Sequence, residues 1–170
     1  MFKTMKTTLL LLIFLLGAKS AFAMHHLHNS EQNHDEKIII NEPWVRAAPA
    51  NAPMLGVFMQ IQNHADNDAK LISAEASGYQ RVELHRTMEH HGVMRMIKQD
   101  FMPIAANNQL NLKPGSWHIM LIGPDAVPSE GESVALTLRF DNGSNKTIHA
   151  LVKKGIKMKY LHGKHTHQHQ

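Results

Sequence analysis

The chain has 170 residues, 18 Lys and Arg against 14 Asp and Glu, and no cysteine. Its length suits one domain. Without cysteine there is no disulfide framework, no thiol nucleophile, no thioredoxin-like redox motif and no blue-copper electron-transfer site, so a hydrophobic core must hold the fold.

The N-terminus reads as an export signal. Lys3 and Lys6 supply a positive region, Thr8 to Gly17 is a short leucine-rich apolar run, and Ala21-Phe22-Ala23 is an A-x-A cleavage pattern. A signal peptide over residues 1–23, cut after Ala23, is therefore expected, with an apolar stretch too short to span a bilayer and no membrane insertion after cleavage. Lys3, Lys6 and Lys19 leave with it, so 18 basic residues become 15 against 14 acidic ones. That near-neutral balance removes any net-charge argument for a nucleic-acid partner.

Residues 24–36 are polar and histidine-rich, with Met24, His25, His26 and His28 at their start, and read as a disordered arm. Residues 37–160 read as the folded domain. Strand-like runs lie near 37–46, 54–63, 69–77, 81–88, 93–98, 109–112, 118–122, 133–140 and 146–152, punctuated by His91-Gly92, Lys113-Pro-Gly115, Gly123-Pro-Asp125 and Asp141-Asn-Gly-Ser144. Many short strands at this spacing predict an all-β sandwich or Greek-key barrel. No window carries a convincing helical stripe. Residues 161–170 form a second arm, with His162, His165, His167 and His169.

The chemistry concentrates in four residues of the domain. Ten residues separate His85 from Met96, twenty-one more precede His118, and Met120 follows at i+2. Residues i and i+2 of a strand share a face, so His118 and Met120 project together while Ile119 and Leu121 turn into a core. Met94 and Met96 likewise share a face, and His85 alternates with Val82 and Leu84 onto a polar one. A turn at His91-Gly92 would fold this segment into a hairpin, bringing His85 towards Met96. Met54, Met59 and Met102 read as core or rim residues. A single strand Met is ordinarily gap filler, but imidazoles clustered with soft thioethers select Cu(I).

The spacing His85-x(10)-Met96-x(21)-His118-x-Met120 resembles the signature of the periplasmic copper chaperones called PCu(A)C. The flanks are similar too: Val82-Glu-Leu-His85, Gly92-Val-Met-Arg-Met96, Leu112-Lys-Pro-Gly115, Trp117-His-Ile-Met-Leu121, and upstream Trp44-Val-Arg-Ala47, Ala52-Pro-Met-Leu-Gly56, Phe58 and Asn63. The likeness covers roughly residues 37–155. Ser116 stands where a second glycine is common, a departure expected to alter the turn and not the ligands.

This resemblance implies a cupredoxin-like β-sandwich that is a monomer, lies in the periplasm and binds one Cu(I) near its surface. His85, Met96, His118 and Met120 would be the ligands, with Met88 and Met94 as nearby sulfurs. It further implies delivery of copper to the Cu(A) centre of a respiratory cytochrome c oxidase, with an oxidase subunit or another copper assembly protein as partner. The alternative is a periplasmic copper buffering or resistance protein without a dedicated client. The arms add a separate expectation. After cleavage His26 stands third in the chain, where amine, amides and imidazole offer a tetragonal nitrogen set suited to Cu(II) or Ni(II), with further donors for Cu(II) or another metal at His25, His28, His162, His165, His167 and His169; the alternative is that the arms are generic, weak metal sponges. No hydrolase, zinc-protease or phosphate-loop motif occurs, so no enzyme is expected.

Overall fold

The computed structural model describes residues 37–155. The expected signal peptide, both histidine-rich arms and residues 156–160 lie outside the described residues. Within them are ten strands: β1 (Ile38–Arg46), β2 (Met54–Asn63), β3 (Ala69–Glu75), β4 (Tyr79–His90), β5 (Val93–Gln99), β6 (Met102–Ile104), β7 (Asn108–Leu112), β8 (Trp117–Pro124), β9 (Ser133–Phe140) and β10 (Asn145–Lys153).

Their hydrogen-bonded order is β5-β4-β8-β2-β1-β10-β9-β3-β6, with β7 also paired to β2. Strand β2 joins two parts of this ladder. Met54–Val57 pairs β8, and Met59–Asn63 pairs β7. The ladder thereby folds over on itself as the expected cupredoxin-like β-sandwich, antiparallel except where β1 runs parallel to β10.

Alternation builds the core. Val134, Leu136, Leu138 and Phe140 are buried along β9 while Ser133, Ala135 and Arg139 are exposed. They meet Val57, Ile61, Leu71, Leu84, Ile119 and Leu121 in one cluster. Each such side chain contributes about 1.5–3 kcal/mol on burial, the main force in a chain with no disulfide.

Three differences from the sequence reading have local causes. Strand β6 was not expected, because three residues with a central proline give too little pattern; Pro103 sits at the sheet edge, where a missing N–H is tolerated. Strand β4 runs two residues beyond the expected 81–88 at each end, because β8 pairs its start and β5 pairs its end. Strand β1 carries a bulge. Asn41 pairs Gln60 and Trp44 pairs Phe58, so two residues on β1, Glu42 and Pro43, stand against one on β2, Met59. Glu42 absorbs the extra residue at φ 47°. The shift puts Val45 in the core and Trp44 on the outer face beside Phe58.

Candidate metal centre

Strands β5, β4, β8 and β2 lie side by side, and their registers fix what shares a face. His85 is the Cα partner of His118, Glu83 of Met120, Thr87 of Met96, and Gly56 of Met120. Opposed residues of an antiparallel pair project to the same side. His85, Met96, His118 and Met120 therefore stand on one face of three adjacent strands. Between them Leu84, Ile119 and Leu121 point into the core, which anchors β4 and β8 from behind.

The hairpin that carries Met96 turns at His91 and Gly92, with φ of 52° and 76°. Consecutive positive φ values are the mark of the two-residue turn whose twist matches antiparallel strands. The turn before His118 is set by Lys113-Pro-Gly-Ser116: Ser116 N–H donates to the Lys113 carbonyl at 3.0 Å, and Gly115 takes φ 78°. Proline followed by a positive-φ glycine is type II turn chemistry.

The two imidazoles lie 5.7 Å apart between ring centroids. His118 Nδ1 is 2.9 Å from the Ser116 carbonyl oxygen, and His85 Nε2 is 2.9 Å from Glu83 Oε2. Both partners are acceptors, so these two nitrogens carry the protons. The remaining ring nitrogens, His85 Nδ1 and His118 Nε2, are buried without a hydrogen-bond partner. Buried polar atoms are ordinarily paired. Two imidazole lone pairs left open on directly opposed residues are donors that a metal ion could take.

Electrostatics favours the neutral rings. Burial pushes His118 below the usual imidazole value of 6.5; the bond to Ser116 opposes that shift and the neighbouring His85 adds to it. The hydrogen bond from His85 holds Glu83 below the usual carboxylate range, helped by Lys98 and Arg81 against a desolvation penalty. Arg81 Nε and Lys98 Nζ lie 3.4 and 3.5 Å from Glu83 Oε1, leaving Oε2 for the histidine.

The four residues differ in access. His118 is 4% and Met120 6% exposed, the His85 side chain is mostly covered, and Met96 is 58% exposed on edge strand β5. The expected surface position thus holds for Met96, while the β8 pair is covered. Phe58 and Met120 are buried yet stand outside the main core cluster. Phe58 packs 6.3 Å from the His118 ring and 4.7 Å from Trp44, with the Arg46 guanidinium over the same Phe58 ring, 5.6 Å from its centroid. Gly56 makes room for this ring, because a Cβ there would lie 2.9 Å from Phe58 Cζ.

Of the two further sulfurs, Met94 shares the His85 face, paired with Glu89 and exposed beside Met96. Met88 pairs Arg95, so the alternation sets it on the opposite face of the hairpin from His85. Met24, His25, His26, His28, His162, His165, His167 and His169 lie outside the described residues. Among the described residues, no three His, Cys, Asp or Glu side chains come together to hold a metal; what shares the face is a pair of imidazoles with thioethers. The sequence reading passed over Glu83. An acid at i−2 of a strand histidine shares its face, and that spacing was the available signal.

The family described as "Putative lipoprotein LpqE-like" matches residues 38–152. The "Putative lipoprotein Lxx21020" of Leifsonia xyli is 33% identical over 116 residues, covering 67% of this chain and 68% of that protein. Among solved structures, the copper-bound PCuAC domain from PmoF2 superposes with a TM-score of 0.60 at 24% identity, over 70% of this chain and 94% of that one. The solution structure of CuI-DR1885 from Deinococcus radiodurans matches with a TM-score of 0.54 at 27% identity, over 69% of this chain and 78% of that one. With the matching family description spanning most of the described strands, and with PCuAC domains as its structural neighbours, the chain belongs to the LpqE-like family of PCuAC domains.

Proposed function

We propose that this chain binds Cu(I) through His85, Met96, His118 and Met120 and carries it to a copper-accepting protein in the periplasm, the Cu(A) centre of a cytochrome c oxidase being the finest form of that reading. One observation carries the copper assignment: two buried imidazole nitrogens without partners, on rings 5.7 Å apart, on a face shared with two thioethers. Soft sulfur with imidazole suits Cu(I) above Mg or Ca. The likeness to CuI-DR1885 and to the copper-bound domain from PmoF2 supports the same metal.

The uneven access supports transfer over storage. His118 and Met120 are covered, whereas Met96 stands open on an edge strand with Met94 beside it. Copper is the cargo, and its four ligands are all neutral. Binding therefore needs no thiol deprotonation and competes with protons only at the histidines. No catalytic step is assigned.

A deletion strain tests the role. A delivery protein is required for oxidase activity when copper is scarce, and restoring the chain recovers that activity. Normal oxidase activity with lost tolerance to copper excess would support the buffering reading. The arms are a separate proposal, gathering Cu(II) beside the Cu(I) site; their removal then lowers Cu(II) stoichiometry, and unchanged stoichiometry would sink that idea.

A further inference from the structure

Resting on the Cu(I) reading, we infer that Glu83 is a positioning residue of the metal centre: it holds His85 with Nδ1 towards the ion, while the Ser116 carbonyl holds His118 with Nε2 towards it.

Glu83 occupies the strand position two before His85 and opposite Met120, so it stands on the ligand face without itself being a soft ligand. Its Oε2 lies 2.9 Å from His85 Nε2, and both side chains are about six-sevenths covered, at 16% and 15% exposure. An ionised carboxylate only accepts, so His85 donates from Nε2 and its lone pair sits on Nδ1. The Ser116 carbonyl makes the converse choice for His118: it takes the Nδ1 proton at 2.9 Å and leaves the lone pair on Nε2. The two nitrogens so presented to a metal are the buried side-chain nitrogens that lack a hydrogen-bond partner among the described residues. Two directly opposed residues thereby present different ring nitrogens.

Both second partners are themselves fixed. Arg81 and Lys98 occupy Glu83 Oε1, which orients the carboxylate. Ser116 closes the Lys113 turn, and its carbonyl also accepts Thr87 N–H at 3.1 Å, tying the turn to β4 two residues beyond His85. A ligating histidine whose other nitrogen is held by a carboxylate is fixed in orientation and made a better donor, and losing such a partner typically lowers metal affinity about 10–100-fold.

Nitrogen-15 NMR of the imidazoles in the full chain tests this, above the pH range of histidine titration, with and without Cu(I). In the apoprotein the His85 Nε2 proton should be protected from solvent exchange, lost on Glu83→Ala and kept on Glu83→Gln, whose amide oxygen still accepts. Cu(I) should move Nδ1 of His85 and Nε2 of His118, and Glu83→Ala should weaken Cu(I) binding about 10–100-fold with unchanged backbone spectra. Cu(I) moving Nε2 of His85, or Glu83→Ala keeping wild-type affinity and Nδ1 ligation, overturns the inference while leaving the copper reading intact. Cu(I) moving no nitrogen of either ring overturns both.

Discussion

His85 and His118 are Cα partners across the β4–β8 ladder, and their open nitrogens are the two buried side-chain atoms without a hydrogen bond among the described residues. On the proposed Cu(I) reading, removing either imidazole takes away a ligand, a larger loss than removing the group that orients one. His118→Ala is expected to lower Cu(I) affinity by more than the roughly 100-fold upper range for an outer partner. An anaerobic competition titration reads this; an affinity within threefold of wild type would count against His118 as a ligand.

On the proposed reading protons compete with copper for the same lone pairs, and the sign is fixed by burial. His118 is lowered from 6.5 in the fold. Its contribution to stability is therefore fully present above 6.5 and is lost as pH falls through the lower folded-state value, because the unfolded chain takes the proton first. Urea midpoints of the apoprotein should fall between pH 7 and pH 5, and less so for His118→Gln, which does not titrate. Cu(I) affinity should fall over the same interval.

Ile119 stands between His118 and Met120 on β8 and points the other way, fully buried in the core. Ile119→Ala is expected to reduce stability by about 2–5 kcal/mol through lost burial and the cavity left behind. Denaturant unfolding measures it. Because the side chain anchors β8 from behind, copper affinity should fall less than for His118→Ala in protein that remains folded.

Gly56 lies opposite Met120, and a Cβ there would press on the Phe58 ring at 2.9 Å. That ring is held between Trp44 and His118. Gly56→Ala should therefore reduce stability by about 1–3 kcal/mol, the usual effect of overpacking, and perturb the His118 ring signals. Unchanged His118 signals would show that Phe58 does not support the site.

Much of this was legible in the residues because strand alternation is local. Strands β2 and β9 have the bounds their turn residues predicted, and the sharing of a face by His118 and Met120 follows from period two alone. What was not legible is non-local. Nothing near His118 in sequence says that β8 lies between β4 and β2, a pairing made by tertiary folding. Met88 illustrates the limit from the other side: it is close to His85 in sequence, yet register sets it on the opposite face. The bulge at Glu42, which turns Trp44 outward to Phe58, left no pattern that composition could reveal.

X-ray absorption on the Cu(I)-loaded chain, with residues 1–36 and 161–170 removed, tests the central claim most directly. The expected first shell contains both imidazole nitrogen and thioether sulfur, and Met120→Ala removes part of the sulfur. A shell of nitrogen alone, unchanged by that substitution, would contradict a copper centre built from His85, Met96, His118 and Met120.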